Sequence, residues 1–256
     1  MDTDVAIVGG GVAGLTAATF TARAGLNTLV VDHGESILAR NAHLENVPGF
    51  PLGVNARTFL SLLREQAAEN GVSFREARVT RVSETADGLR LRIESGDGED
   101  DVEATYAVAA SWSDSDYLAE LEDVGLTKRG SKVYVDVDDY GRTGLDGLYA
   151  AGRIAEKPHQ TVVSAGHGAE VALTLVDDSD VPFYHDWVAP EGYFTGRGRE
   201  VPPGCEEIDE AERERREQAS LERMQEAFAD TQSEPPTMHP SVAGDASTDG
   251  DDSDDE

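Results

Sequence analysis

The chain opens on a short apolar run, "DVAIV" (Asp4–Val8), followed at once by glycines. A run this short with that boundary predicts a fully buried strand. "GVAGLTAATFTARAG" is a helix of small residues that ends at Gly25, and "NTLVVD" is a second buried strand that ends in Asp32. "NARTFLSLLREQAAENG" predicts another helix, with Phe59, Leu60, Leu62 and Leu63 on its apolar side. Beyond it the period falls to two. "RVTRVSET", "LRLRIES" and "VEATYAVAAS" predict three strands, the first two joined around Asp87-Gly88 and the next turn carrying Gly96 and Gly98. "SKVYVDVDDYGRT" predicts a strand with a turn, "DGLYAAG" a buried strand, and "TVVSAGHGAEVALTLV" a closing helix. Strands alternating with helices give the α/β class. The expected fold of residues 1–180 is a parallel-sheet, Rossmann-like domain with one three-stranded antiparallel meander.

After Asp180 the pattern changes. Residues 181–204 are rich in Pro, Gly and aromatics. Their "VPFYHDWVAPEGYF" suits a loop that covers a ligand; the other reading is packing on the back of its own sheet or on a twin subunit. Residues 205–229 are expected to form a charged helix, with Ile208, Leu221, Met224 and Phe228 among the charges. Residues 230–256, rich in Pro, Ser and Asp, are expected to be disordered.

Charge narrows the partners. With 51 acidic against 21 basic residues the net charge is −30, which opposes binding to nucleic acid or an anionic membrane. The only lysines are Lys128, Lys132 and Lys157. An acid-rich, lysine-poor chain resembles the halophilic proteins of microbes that keep molar salt in the cytoplasm, where screening lengths are very short. Cys205 is the only cysteine, so neither an internal disulfide nor a dithiol pair can form. It stands among glutamates, a poor setting for a nucleophilic thiolate. A cytoplasmic location is expected, since no leader-like segment or membrane-spanning run is visible.

The chemistry begins at Gly9-Gly10-Gly11-Val12-Ala13-Gly14, which fits G-x-G-x-x-G. It follows a strand, opens a helix and precedes a second strand ending in an acid, the full context of the dinucleotide fingerprint. Gly9 permits the tight turn. Gly11 lets the backbone approach a pyrophosphate on the helix N-terminus, beside Val12 and Ala13. Gly14 allows close helix–strand packing, and Asp32 accepts from an adenosine ribose. A glycine-rich turn without a ligand is the bland alternative. The motif alone does not separate NAD from FAD.

Two further segments carry a resemblance. "HLENVPGFP" (His43–Pro51) and "RTGLDGLYAAGRIAEKPHQTVVSAGHGAEVAL" (Arg142–Leu173) resemble thioredoxin reductases and related flavin disulfide reductases. The resemblance covers nearly all of residues 1–180 and implies FAD as the cofactor. It implies that Asn46 approaches the flavin ring and that the backbone near Val79 reads the adenine. It also implies that Gly152-Arg153 holds the ribityl–pyrophosphate part, and that His159-Gln160-Thr161 meets the pyrimidine edge. A helix starting near Thr161 would aim free N–H groups at that edge and favour its anionic reduced form. His159 and His167 flank the same edge, and His159 is a donor or proton relay or simply an exposed loop histidine.

The chain departs from the family in three ways. The inserted NADPH domain has no counterpart, the redox Cys-x-x-Cys is absent, and Arg153 stands where the family has Asp. Arginine cannot accept from ribityl hydroxyls, but it can pair with phosphate. The expected function is a FAD-dependent, thioredoxin reductase-like oxidoreductase reduced to its flavin domain. It would exchange electrons with an external donor or acceptor, protein or small molecule. The alternative is a non-catalytic FAD-binding sensor or assembly module. A homodimer is compatible with either, and no catalytic residue or metal site is assigned.

Overall fold

The computed structural model describes residues 3–239. Strand β1 (Thr3–Val8) runs up the middle of a seven-stranded sheet. It pairs in parallel with β2 (Thr28–Asp32) on one side and with the end of β6 (Gly98–Ala109) on the other. The long β6 belongs to two subsheets. Its first half pairs antiparallel with β5 (Gly88–Ser95), which pairs with β4 (Arg78–Thr85), giving the expected meander. Its last residues, Ala107–Ala109, carry β9 (Leu148–Ala150) in parallel. Helices α1 (Val12–Arg23) and α3 (Thr161–Asp178) cover one face. Ile7, Leu15, Val30, Val108 and Leu175 are buried there. The meander and a loop containing Leu118 close the other face over Val8, Val31, Leu91 and Ile93. Fully burying each such side chain contributes about 1.5–3 kcal/mol.

Within residues 3–180 two strands were not expected. β3 (Ser73–Glu76) adds to the outer edge of β2, and β7 (Leu126–Arg129) makes a hairpin with β8 (Lys132–Val135). Both are only four residues long and mostly polar, so neither shows a hydrophobic period. Helix α2 (Ala56–Glu69) forms where expected, but Phe59, Leu60, Leu62 and Leu63 are only half-buried.

The region beyond Asp180 differs most from expectation. β10 (Trp187–Pro190) pairs in parallel with β11 (Cys205–Ile208). The charged helix, α4 (Glu210–Ala227), therefore begins five residues later than expected. Its start is set by Asp209, whose side chain accepts from Glu212 N at 2.8 Å. Within the chain the aromatic segment packs on its own domain and does not line the cleft described below, as in the second of the two readings. Phe183 packs on the α1–α3 core, and Asp186 accepts from Arg23, the last residue of α1, at 2.5 and 2.6 Å. Trp187 lies 4.5 Å from Tyr193 and 5.6 Å from Phe194, both edge-on. This aromatic cluster sits at the C-terminal end of α1, a helix about 18 Å long, and so on the far side of the domain from the start of that helix. The expectation of a disordered tail falls outside the described residues from 240 on.

One carboxylate ties this region together. Glu207 accepts from Gly192 N at 3.1 Å, from Thr195 N at 3.0 Å and Oγ1 at 2.7 Å, and from Phe194 N. Desolvation opposes its charge, but the four donors prevail and bring its pKa down to about 2. A depressed carboxylate stabilises above its unfolded value, and that contribution is lost as pH falls towards about 2. Glu207→Gln is expected to raise amide hydrogen exchange at 192–195 while leaving exchange in β1 unchanged. Unaltered exchange at 192–195 would refute the tie.

Candidate functional site

A cleft of about 990 Å³ opens beyond the C-terminal ends of β1, β2 and β6, the edge where open α/β sheets receive ligands. Gly9, Gly11, Val12, Ala13, Asp32, Asn46, Val79, Arg153, Gln160 and Thr161 all line it; Gly14 and Gly152 lie behind its wall.

The glycine turn explains much of the shape. Gly9 has φ +109°, and a Cβ there would come within 2.6 Å of Ala110 O. Its N–H donates to Val31 O at 2.9 Å. Gly10 N donates to Asp32 Oδ1 at 2.9 Å, which fixes the carboxylate and leaves Oδ2 for a ligand. A Cβ on Gly14 would lie 2.0 Å from Gly9 O, so helix and strand touch backbone to backbone. Gly168 and Gly152 repeat the device: Cβ atoms there would meet Ala13 O at 2.3 Å and Ala13 Cβ at 2.8 Å. Three glycines thus press α1 against the end of β1, against α3 and against the turn after β9.

Both helices present bare N-termini to the cleft. Neither Gly11 nor Gln160 caps its helix with a side chain, and neither first turn holds an acid. Within the described residues Gly11, Val12 and Ala13 donate no backbone hydrogen bond. By contrast α2 and α4, away from the cleft, are capped by Asn55 and Asp209. Two unsatisfied positive dipole ends facing one cavity favour an anion. Across the mouth, Asn46 Nδ2 donates to Gln160 Oε1 at 2.9 Å, joining the segment 43–51 to the start of α3.

Two expectations need correction. Gly152, at φ +78°, donates its N–H to His167 Nδ1 at 2.9 Å. Its amide is therefore committed and does not face the cleft. His167 is buried in α3 and does not flank the cleft. Burial, assisted by the nearby Lys157 charge, lowers its pKa to about 4. It is neutral near pH 7, with Nδ1 as acceptor and the proton on Nε2. His159 does line the cleft. Arg153 also lines it, but its guanidinium lies 4.8 Å over the Tyr134 ring and donates to Tyr134 Oη. Val79 lies beside Ala77 and Arg78, where β4 slips register against β5.

Ser111, Trp112 and Tyr117, which also line the cleft, were not expected. The signal was available: the loop after a central strand of such a sheet faces the ligand, and Trp112 stands three residues after the end of β6. Among the described residues no His, Cys, Asp or Glu cluster is arranged to hold a metal, and no helix is long and apolar enough to cross a membrane.

Residues 52–168 match the family model for pyridine nucleotide-disulphide oxidoreductases, and residues 7–70 match that of the NAD(P)-binding Rossmann-like domain. The chain is 40% identical over 90 residues to a thioredoxin reductase of Aquifex aeolicus, covering 34% of this chain and 28% of the relative. It is 37% identical over 84 residues to a thioredoxin reductase of Treponema pallidum, covering 32% of this chain and 27% of the relative. The matched stretches thus span less than a third of these curated relatives. The fold is similar to the thioredoxin reductase structure from Gloeobacter violaceus (TM-score 0.63, 18% identity, covering 72% of this chain and 99% of that one). It is also similar to an oxidoreductase from Agrobacterium tumefaciens (TM-score 0.59, 15% identity, covering 70% and 98%). In sequence and fold the chain is thus similar to thioredoxin reductases, and its residues 52–168 match the pyridine nucleotide-disulphide oxidoreductase model.

Proposed function

We propose that this chain is a FAD-dependent oxidoreductase that works through a single flavin domain and exchanges electrons with a partner outside the described residues. The carrying observation is the convergence of two uncapped helix N-termini, α1 and α3, on one cleft beside a G-x-G-x-x-G turn. The donor set fits the cofactor. The free N–H groups of Gly11, Val12 and Ala13 suit a pyrophosphate, and Asp32 Oδ2 suits a ribose hydroxyl. The wall at Val79 suits an adenine, and the paired amides of Asn46 and Gln160 suit the polar edge of the flavin. When bound, the flavin supplies reversible two-electron chemistry. The start of α3 at Thr161 favours negative charge at the site and so an easier reduction.

The partner reading rests on what lies between Ala109 and Leu148. That stretch holds only a 3-10 turn at Asp116–Leu118 and the β7–β8 hairpin. It offers no place for a second nucleotide-binding unit, and Cys205 is the only cysteine in the chain. A second protein or a small diffusible molecule would complete the electron path.

The other reading, a FAD-binding module without redox work, draws on Arg153, which replaces the family's ribityl acceptor. One preparation separates the two. The released ligand, identified by mass spectrometry, should be FAD; recovery of NAD(H) alone would overturn the cofactor. Flavin colour that bleaches with a chemical reductant and returns in air supports redox work. FAD that binds but resists reduction supports the module. NADPH with purified protein should not reduce a disulfide.

Arg153→Asp is expected to leave FAD affinity unchanged or tighten it, because Tyr134 already holds the guanidinium. It restores an acceptor where arginine offers none. A sharp loss of affinity by fluorescence titration would instead identify Arg153 as a phosphate ligand.

A further inference from the structure

Trp112 is the second residue of the turn Ser111–Asp114, which leads away from β6 at the cleft. Asp114 N donates to Ser111 O at 3.1 Å, and Ser111 Oγ lies 2.6 Å from Asp114 O and 2.8 Å from Tyr117 Oη. Within this bonded turn Trp112 takes φ +62°, the left-handed region that glycine enters freely and a bulky side chain does not. A strained residue persists only where its surroundings over-determine it, and such residues concentrate at functional sites. The indole is half-buried and lines the cleft. It meets the His159 ring edge-on, with centroids 5.6 Å apart and planes at 76°. His159 immediately precedes Gln160 and Thr161, which begin α3. Two crossed rings therefore stand in the wall beside the residues assigned above to the polar edge of the flavin.

A turn at the mouth of a cleft has no need of a strained tryptophan for packing alone. Glycine at this turn would relieve the strain at once. A large aromatic surface in a ligand cavity is matched by another flat ring, through offset or edge-to-face contact. We infer that Trp112, buttressed by His159, is a positioning residue that packs against the ring system of bound FAD and shields it from water. The inference rests on the FAD reading. It also supplies a cover for a ring that no second nucleotide-binding unit adjoins among the described residues.

The test uses the full chain loaded with FAD, in wild-type, Trp112→Phe, Trp112→Gly and His159→Ala forms. Emission of the bound flavin, FAD affinity and the melting temperature of the FAD-free protein are measured. Contact with tryptophan quenches flavin emission, so the wild type should be dim. Trp112→Gly should be several-fold brighter and bind FAD several-fold more weakly. Its FAD-free form should melt no lower than wild type, because the backbone strain is gone. Trp112→Phe should keep most of the affinity while regaining emission, and His159→Ala should fall between. Tyr117, Tyr134 and Trp187 remain in every variant, so any change belongs to the pair. FAD bound to Trp112→Gly with wild-type affinity and emission overturns the inference and leaves the cofactor reading standing. A changed melting temperature with unchanged emission assigns Trp112 a purely structural role and overturns it equally. A wild-type chain that takes up no FAD overturns both.

Discussion

Gly14→Ala is expected to abolish FAD uptake and to lower the melting temperature by about 6–12 °C, from a loss of about 3 kcal/mol in a domain of this size. Two effects compete. Alanine favours a helix over glycine by about 1 kcal/mol. Against this, the new Cβ would stand 2.0 Å from Gly9 O and 3.3 Å from Ile7 Cγ2. The first neighbour is backbone and cannot rotate away, so α1 must lift off β1. The lift moves the N–H groups of Gly11, Val12 and Ala13, which are the pyrophosphate donors proposed above. Sterics therefore win over propensity, and binding is lost together with stability. Gly168→Ala, whose Cβ would meet Ala13 O at 2.3 Å, should behave alike by pushing α3 away from α1. Gly166→Ala is the matched control. It lies on α3 with nothing within 4 Å of the added atom. It should stabilise the protein by up to about 1 kcal/mol and leave FAD uptake unchanged. The readings are thermal melts and flavin absorbance after gel filtration. A Gly14→Ala protein that keeps its flavin and its melting point would show that helix and strand are not in this contact.

What the sequence revealed follows from how locally each feature is encoded. The glycine turn and Asp32 were legible because strand, turn, helix and acid lie within a few tens of residues, each with its own period. The meander was legible because buried positions alternate strictly in β5 and through the middle of β6, with β4 departing only at its register slip after Val79. Gly14 was correctly read as a packing glycine, for the same local reason. The surroundings of Gly152 were not legible because they depend on His167, fifteen residues further on, whose ring accepts the Gly152 amide. Nothing in a one-dimensional pattern records that contact. The aromatic run from Phe183 to Phe194 left cover and self-packing both open because aromatics interrupted by Pro and Gly look alike in a lid and in a small cluster. The deciding contact, Arg23 with Asp186, spans 163 positions. Trp112 could have been placed at the cleft from its loop after β6, but its strain could not be read, because that lies in a backbone angle.

Raising KCl from about 0.1 M to about 1 M is expected to increase the melting temperature by about 10 °C or more. Two electrostatic effects oppose each other here. Ion pairs such as Arg142–Asp178 and Arg223–Glu65 weaken as salt rises. All the resolved pairs lie at least partly exposed, and each such pair contributes only about 0–1 kcal/mol. Even if every basic residue found a partner, 21 cations could neutralise only 21 of 51 acids. Thirty negative charges would remain, which is the net charge of the chain. Two like charges about 10 Å apart in water repel by about 0.4 kcal/mol before screening. The screening length falls from about 10 Å at 0.1 M to about 3 Å at 1 M, which removes most of the repulsion that survives the lower concentration. Summed over about thirty or more neighbouring pairs, the relief amounts to several kcal/mol and exceeds what the exposed ion pairs lose. The sign is therefore positive, and it should be shared by NaCl and KCl at equal ionic strength, since screening does not distinguish them. Thermal melts across a KCl series, repeated in the uncharged osmolyte sucrose, separate screening from preferential exclusion. A melting temperature that rises with sucrose but stays flat with KCl would refute the electrostatic account.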